Sequence, residues 1–366
     1  MTSRDYKFQG WLGFSADSVN GNLRWSTYTP KPWEETDIDI KVTHCGVCAT
    51  DISTLRSGWA PVDYPQCVGH EVVGTVVRLG SKASPNSPLS LGDRVGVGAQ
   101  SSSCMASDCE ECSGKPSYEN QCQNFVGTYN GVFKDGTKSF GGYSDYIRIP
   151  GRFVIKIPDG LESMHAAPML CAGITVYSPL KNFGSGPGKK VGIVGVGGLG
   201  HFGLLFAKAL GAEKIVAISR SSAKRKNCEE MGADGFIATD EEPDWAAKNE
   251  RTLDLIVSTV SSPKMPLEGY LQMLRPRGTF VQVGSPEDKL PAISAGSLIV
   301  KGARMAGSVI GPPWEIEEML KLAVEKHVRG WVQPRGLMEA NEALVDMKDG
   351  KARYRYVLVN EKHLHE

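Results

Sequence analysis

The chain has 366 residues, 41 Lys plus Arg against 41 Asp plus Glu, and a formal net charge of +0, so nothing in its charge favours nucleic acid or an anionic membrane as a partner. With 41% hydrophobic, 22% charged and 8% aromatic residues, disorder and fibrous structure are excluded, and the length suggests about two domains at roughly 150 residues each. The N-terminal residues carry charges without a following apolar run, which reads as no signal peptide and gives an expectation of a cytoplasmic protein.

From about residue 36 to 160, short apolar runs such as 71–79 and 94–97 are divided by Gly, Pro and Ser, which predicts a β-rich, barrel-like domain. The Ser/Pro stretch 84–90 reads as a surface loop. From about 190 the texture changes. Strands are predicted at 191–194, 215–219, 253–258 and 279–283, alternating with helices at 199–210, 223–231 and 267–274, the pattern of a doubly wound parallel sheet. A helix at 314–326 and a strand at 354–359 close the chain and are expected to return to the first domain. Residues 191–212 are apolar enough to imitate a membrane span, but their clustered glycines fit a strand, a turn and a helix instead.

That turn is Gly195-Val196-Gly197-Gly198-Leu199-Gly200, a G-x-G-x-x-G motif between a strand and a helix. Its first glycine permits a tight turn, its second lets backbone N–H groups approach a pyrophosphate, and its third allows close helix packing. No acid follows at the end of the next strand to hold a ribose 2′-hydroxyl. Ser219, Arg220, Ser221 and Lys224 stand there and suit a 2′-phosphate, so NADP(H) is expected over NAD(H); the plainer reading of the cations is a solvated helix face.

Nine cysteines in a chain read as cytoplasmic argue against a disulfide framework. Cys104, Cys109, Cys112 and Cys122 supply four thiolates within one Gly/Ser-rich loop, which predicts a closed, structural Zn²⁺ site; free or redox thiols are the alternative. A catalytic zinc needs three protein ligands and an open position. Cys45 or Cys48, with His70 and Cys171, are candidates, and the residues alone do not choose between the two cysteines or exclude plain core roles.

The Gly69-His70-Glu71 element with Val72-Val73-Gly74, the four-cysteine lobe, Cys171-Ala172-Gly173, the glycine loop and Arg353-Tyr354-Arg355-Tyr356 together resemble the medium-chain zinc alcohol dehydrogenases, within them the NADP-dependent cinnamyl alcohol dehydrogenase branch. The resemblance implies an α/β protein with a GroES-like β-rich catalytic domain at 1–165 and 306–366 and a Rossmann cofactor domain at 166–305. It implies Cys48, His70 and Cys171 as catalytic zinc ligands, with Glu71 an occasional one and Cys45 structural. It further implies Thr50 as proton carrier and Asp51 as the carboxylate that orients the zinc-bound histidine. Thr175, Thr259, Gly284, Ser308, Val309 and Ile310 are implied to touch cofactor or substrate, Trp59 to line the substrate pocket, and a homodimer to form through the cofactor domain.

Three departures stand out. The cysteine lobe is longer than usual. Ser53 replaces a relay histidine, so the proton leaves through Ser53 or water. Gly127 stands where plant members of the resembled branch carry a bulky tryptophan, which implies a wider substrate pocket. The expected activity is therefore zinc-dependent, NADPH-linked interconversion of aldehydes and primary alcohols. NADPH reduction of a conjugated C=C bond or an iminium is the enzymatic rival, and a non-catalytic NADPH-binding protein the other.

Overall fold

The computed structural model describes residues 6–364. The chain forms two compact units. One holds the chain up to Cys171 with Gly311–Val324 and Trp331 onward; the other holds Ala172–Ile310 and Glu325–Gly330. The boundaries thus fall at 171/172 and 310/311 instead of 165/166 and 305/306. Packing explains the differences. Leu170 stays with the first unit because it fills the space beside Gly96, where a Cβ would lie 2.6 Å from Leu170 Cδ1. Strand Arg304–Gly307 stays with the second because it pairs with Leu274–Gln282. The short run Glu325–Gly330 joins it too, with Gly330 set so tightly against Phe202 that a Cβ would lie 2.5 Å from its ring.

In the first unit a seven-stranded sheet runs in the order Ile155–Lys156, Arg94–Val97, Val72–Leu79, Asp37–Gly46, Arg355–Val359, Val332–Gly336, and Tyr146–Pro150 also pairs with Asp37–Gly46. The ten-residue strand Asp37–Gly46 is the hub, with Ile38, Ile40 and Val42 alternating into the core. Its register sets Cys45 opposite both Val72 and Leu358, which brings the segment after Gly69 and the C-terminal strand to one end of the sheet. Residues 84–90 are loop, as their composition predicted.

In the second unit six parallel strands lie in the order Gly235–Ala238, Lys214–Ser219, Lys190–Val194, Leu253–Ser258, Leu274–Gln282, Arg304–Gly307. Numbered along this unit the order is 3-2-1-4-5-6, the doubly wound dinucleotide-binding arrangement, in which ligands bind beyond the strand ends where the order reverses. Here the reversal lies between Lys190–Val194 and Leu253–Ser258. The glycine loop follows the first of these and Thr259 the second. The expected helix at 199–210 is Gly200–Ala209, and that at 223–231 shortens to Arg225–Glu230 after a 3₁₀ turn Ser222–Lys224. Among the described residues, no helix is long and apolar enough to cross a membrane.

Candidate functional site

Cys48 precedes the helix Ala49–Leu55 and takes extended backbone. Asp51, three residues on, accepts the Cys48 backbone N–H at 2.9 Å, so it caps the helix that displays Cys48. His70 and Glu71 immediately precede strand Val72–Leu79. Cys171 lies in Met169–Gly173, a π-helical turn between helices Ser163–Pro168 and Ile174–Asn182. Pro168 has no N–H to continue the helical ladder, and a widened turn is a common way to absorb such a break, often where function needs a side chain turned inward.

These elements converge. One donor atom from each of Cys48, His70, Glu71 and Cys171 lies within 4.8 Å of the others, and all four residues are buried. His70 Nε2 is fully enclosed without a hydrogen-bond partner among the described residues. Two sulfurs, a buried imidazole nitrogen and a carboxylate oxygen form the donor set that Zn²⁺ takes. The Cys171 side chain, with help from His70, holds the Cys48 thiol well below its ordinary range, while Cys171, sharing that contact, is pushed up. Burial opposes charge on His70, yet the Cys48 sulfur and the Asp51 and Glu71 carboxylates outweigh it and hold the imidazole at about 9. Charge of both signs is thus confined in a dry site.

Glu71 is turned by Arg355: both are 0% exposed, and Arg355 Nη2 donates to Glu71 Oε1. Space for the carboxylate comes from Gly46, where a Cβ would sit 1.9 Å from Glu71 Oε2. Thr50 is half-buried with Oγ1 3.5 Å from Cys48 Sγ, and Ser53 follows one turn later on the same helix face. Asp51 lies 3.6 Å from His70 Nδ1, longer than a hydrogen bond. The hydroxyl of Tyr129 is nearer, at 2.9 Å from the same nitrogen. Asp51 also accepts from Gly69 N–H at 3.2 Å and Tyr143 Oη at 3.0 Å. Trp59 is 44% exposed, and Gly127 is half-buried in a short strand pair with Gln100.

The four lobe cysteines also gather, with Cys104 Sγ 3.6 Å from Cys112 and 3.5 Å from Cys122, and Cys109 3.9 Å from Cys122. Four sulfurs so close, with no disulfide, fit one tetrahedral zinc.

At the glycine loop, Gly195 has φ +84, a conformation that side chains rarely take. Gly197 faces open space, and a Cβ on Gly200 would strike Gly195 O at 2.1 Å. Thr259 Oγ1 donates to Gly195 O at 2.6 Å and pins the turn. Gly198 and Leu199 lead into the helix Gly200–Ala209. Lys224 Nζ donates to Val196 O at 2.7 Å, which holds this half-buried cation beside the glycine loop. Ser219 is half-buried at its strand end, with Arg220 and Ser221 exposed beside it, whereas Arg225 turns away to Glu242 at 3.4 Å. Gly284 packs on Val260, where a Cβ would lie 2.4 Å from Val260 O. Ser308 N–H donates to Gln282 O at 3.3 Å, Val309 is 53% exposed, Ile310 has φ +36, and Thr175 is buried in Ile174–Asn182.

The sequence assigns no role to Tyr129 or Tyr143, and Arg355 stands in it only as part of the closing Arg353-Tyr354-Arg355-Tyr356 motif. Arg355 carried a signal: a cation in the apolar strand Arg355–Val359 needs a buried acid.

Residues 34–159 match the alcohol dehydrogenase GroES-like domain and residues 198–325 the zinc-binding dehydrogenase domain. The chain is 44% identical to NADP-dependent alcohol dehydrogenase 6 of Saccharomyces cerevisiae over 96% of both chains. It is 40% identical to a probable cinnamyl alcohol dehydrogenase of Arabidopsis thaliana over 95% of this chain and 93% of that one. Among solved structures it is similar to a cinnamyl alcohol dehydrogenase from Sorghum bicolor, with TM-score 0.89 and 35% identity over 97% and 98% of the two chains. It is also similar to a Helicobacter pylori cinnamyl alcohol dehydrogenase complexed with NADP(H), with TM-score 0.86 and 30% identity over 96% and 98%. The chain belongs to the medium-chain zinc-dependent alcohol dehydrogenase family.

Proposed function

We propose that this chain interconverts aldehydes of the cinnamyl, aromatic and aliphatic kinds with primary alcohols, using NADP(H). The observation that carries the reading is the convergence of Cys48, His70, Glu71 and Cys171 with Thr50 beside them. Bound there, zinc supplies a Lewis acid for the charge that develops on a carbonyl oxygen, and the nicotinamide supplies the hydride.

The chain's own residues do the rest. Cys48, His70 and Cys171 hold the metal, and Glu71, tethered by Arg355, stands ready as a further oxygen donor. The Thr50 hydroxyl gives a proton to the product oxygen in reduction and takes it back in oxidation, with Ser53 on the same helix face passing it to solvent. Burial of the donor set keeps the surroundings dry, which strengthens the electrostatics of the site. Gly195, Gly197 and Gly200 shape the pyrophosphate turn, and Ser219, Arg220, Ser221 and Lys224 receive the 2′-phosphate. Thr175, Gly198, Leu199, Thr259, Gly284, Ser308, Val309 and Ile310 complete the cofactor site, while Trp59 and Gly127 border the substrate. Cys104, Cys109, Cys112 and Cys122 carry a second zinc without catalytic work. The named relatives favour carbonyl chemistry over reduction of C=C or iminium bonds.

We also propose a cytoplasmic homodimer. Nine unpaired cysteines suit a reducing compartment. Strand Arg304–Gly307 ends its sheet, and the nearby Ile299 and Val300 are each 76% exposed, an edge that invites a second copy.

The test is cofactor consumption with cinnamaldehyde and simple aldehydes, NADPH beside NADH, before and after zinc chelation, with product analysis. Preference for NADPH, loss on chelation and an unsaturated alcohol as product are expected. A saturated aldehyde as product would replace the reading with C=C reduction.

A further inference from the structure

We propose that Tyr129 is the positioning residue of the catalytic zinc site, its hydroxyl standing between His70 and Asp51 and fixing which nitrogen of His70 meets the metal. This rests on reading Cys48, His70, Glu71 and Cys171 as the zinc ligands.

Tyr129 is buried at 7% exposure, and its ring lies 5.2 Å from the His70 ring, tilted at 34°. Its Oη is 2.9 Å from His70 Nδ1, whereas the nearest Asp51 oxygen is 3.6 Å from that nitrogen. The Asp51 carboxylate also lies near this phenol, and burial, with that charge, holds the Tyr129 hydroxyl protonated.

Asp51 receives the Cys48 and Gly69 N–H groups and the Tyr143 hydroxyl, and with every oxygen buried it serves as an acceptor. The Asp51 charge beside the phenol therefore draws the phenol proton its own way and leaves the oxygen's lone pair for His70. The phenol oxygen is then an acceptor toward His70, so Nδ1 carries the imidazole proton and Nε2 keeps its lone pair. Nε2 is the nitrogen with no other partner among the described residues. The carboxylate thus acts on the zinc-bound histidine through a phenol, and Asp51 is freed to hold the Cys48 loop and the Gly69 turn. Partners of this kind commonly change metal affinity about 10- to 100-fold.

The experiment uses the zinc-loaded full chain and Tyr129→Phe, which keeps the ring and removes only the hydroxyl. Zinc is withdrawn by a colorimetric chelator, and the two metals per chain are followed as separate phases, the lobe zinc serving as internal control. One phase in Tyr129→Phe is expected to quicken about 10- to 100-fold while the other holds its rate, with the KM for NADPH unchanged. Equal quickening of both phases means general loosening and overturns the proposal, as does no change in either. In ¹⁵N-histidine-labelled, zinc-loaded wild type, the ring whose shifts respond to zinc is expected to be protonated at Nδ1. Protonation at Nε2 overturns the proposal without recourse to any variant. A wild type that holds only the lobe zinc would instead overturn the ligand assignment beneath it.

Discussion

Arg355 and Glu71 give the sharpest test of how the first unit holds its site. Both side chains are 0% exposed, and Arg355 is among the largest fully buried side chains in the protein. Replacing Arg355 by Met keeps much of the volume and leaves the Glu71 carboxylate without its only cation partner among the described ion pairs. Breaking a buried pair from one side costs about 3–5 kcal/mol, because the surviving charge has no water and has lost its hydrogen-bonded counter-charge. Arg355 brings an offset of its own. Its Nε and Nη1 have no hydrogen-bond partner among the described residues, and their removal returns part of a desolvation cost of about 1–3 kcal/mol per group. The expected loss is therefore at the low end, about 3 kcal/mol. In a unit of this size that corresponds to roughly 6–12 °C in Tm, taking about 2–4 °C per kcal/mol. The assay is chemical denaturation and calorimetry of wild type, Arg355→Met, Glu71→Gln and the double variant. Glu71→Gln is expected to cost less than Arg355→Met, and the double variant to recover about 0.5–3 kcal/mol relative to the sum of the singles. A loss below about 1 kcal/mol in Arg355→Met, or strict additivity in the double variant, would refute the claim that this pair is held by mutual compensation.

Burial and the nearby Arg94 charge lower the His44 imidazole from 6.5 to about 4. The folded state thus resists a proton that the unfolded chain accepts, and stability falls as pH drops from 6.5 toward 4, by at most about 3 kcal/mol. Urea unfolding at pH 7 and 4.5 should show a smaller loss in His44→Gln than in wild type, and an equal loss would sink the assignment. At the cofactor site, Lys224→Ala removes a cation already held toward the glycine loop at Val196 O. A charge-assisted contact to a phosphate is worth about 1.5–3 kcal/mol, so the KM for NADPH should rise roughly 10- to 150-fold while that for NADH moves little. A parallel rise for both cofactors would mean that Lys224 supports the loop and does not read the 2′-phosphate.

What the sequence made legible was local. Gly195, Gly197 and Gly200 announce themselves because three different steric demands fall at fixed spacing between a strand and a helix. Cys104, Cys109, Cys112 and Cys122 do so because four thiols crowd one short loop. Cys45 or Cys48, His70 and Cys171 stand in the sequence only as candidates, and the resemblance alone selects Cys48, since nothing in spacing joins residues that the fold brings together from a helix start, a strand start and a π-helical turn. Tyr129 is illegible for the same reason: it lies 59 positions from His70, and a lone tyrosine between Thr128 and Asn130 in a glycine-flanked stretch reads as a turn. Strand Arg304–Gly307 was missed because it is short and mostly exposed, so the alternation that marks a strand has nothing to act on.

The two clusters of donors differ in what orders them, and the difference follows from their neighbours. Around Cys48, the backbone is fixed by Asp51, by the pairing of Asp37–Gly46 with Val72–Leu79, and by buried residues on every side, including Cys45, Val47, Leu55 and Tyr143. Cys171 sits on a turn whose Met169, Leu170 and Ala172 are fully buried. These donors are placed by elements that the core already requires, so their geometry is prepared before any ion arrives, the condition that precise catalysis sets. The lobe has only the four-residue helix Glu110–Ser113 and the turn Glu119–Gln121 between its cysteines, while Met105 and Tyr118 stand exposed at its surface. With so little apolar burial to offset the chain entropy of the loop, a metal held by its four cysteines would supply the order that the segment's own packing does not. One fold thus uses the same metal chemistry in opposite directions: a core that shapes a metal site, and a metal site that stands in for a core.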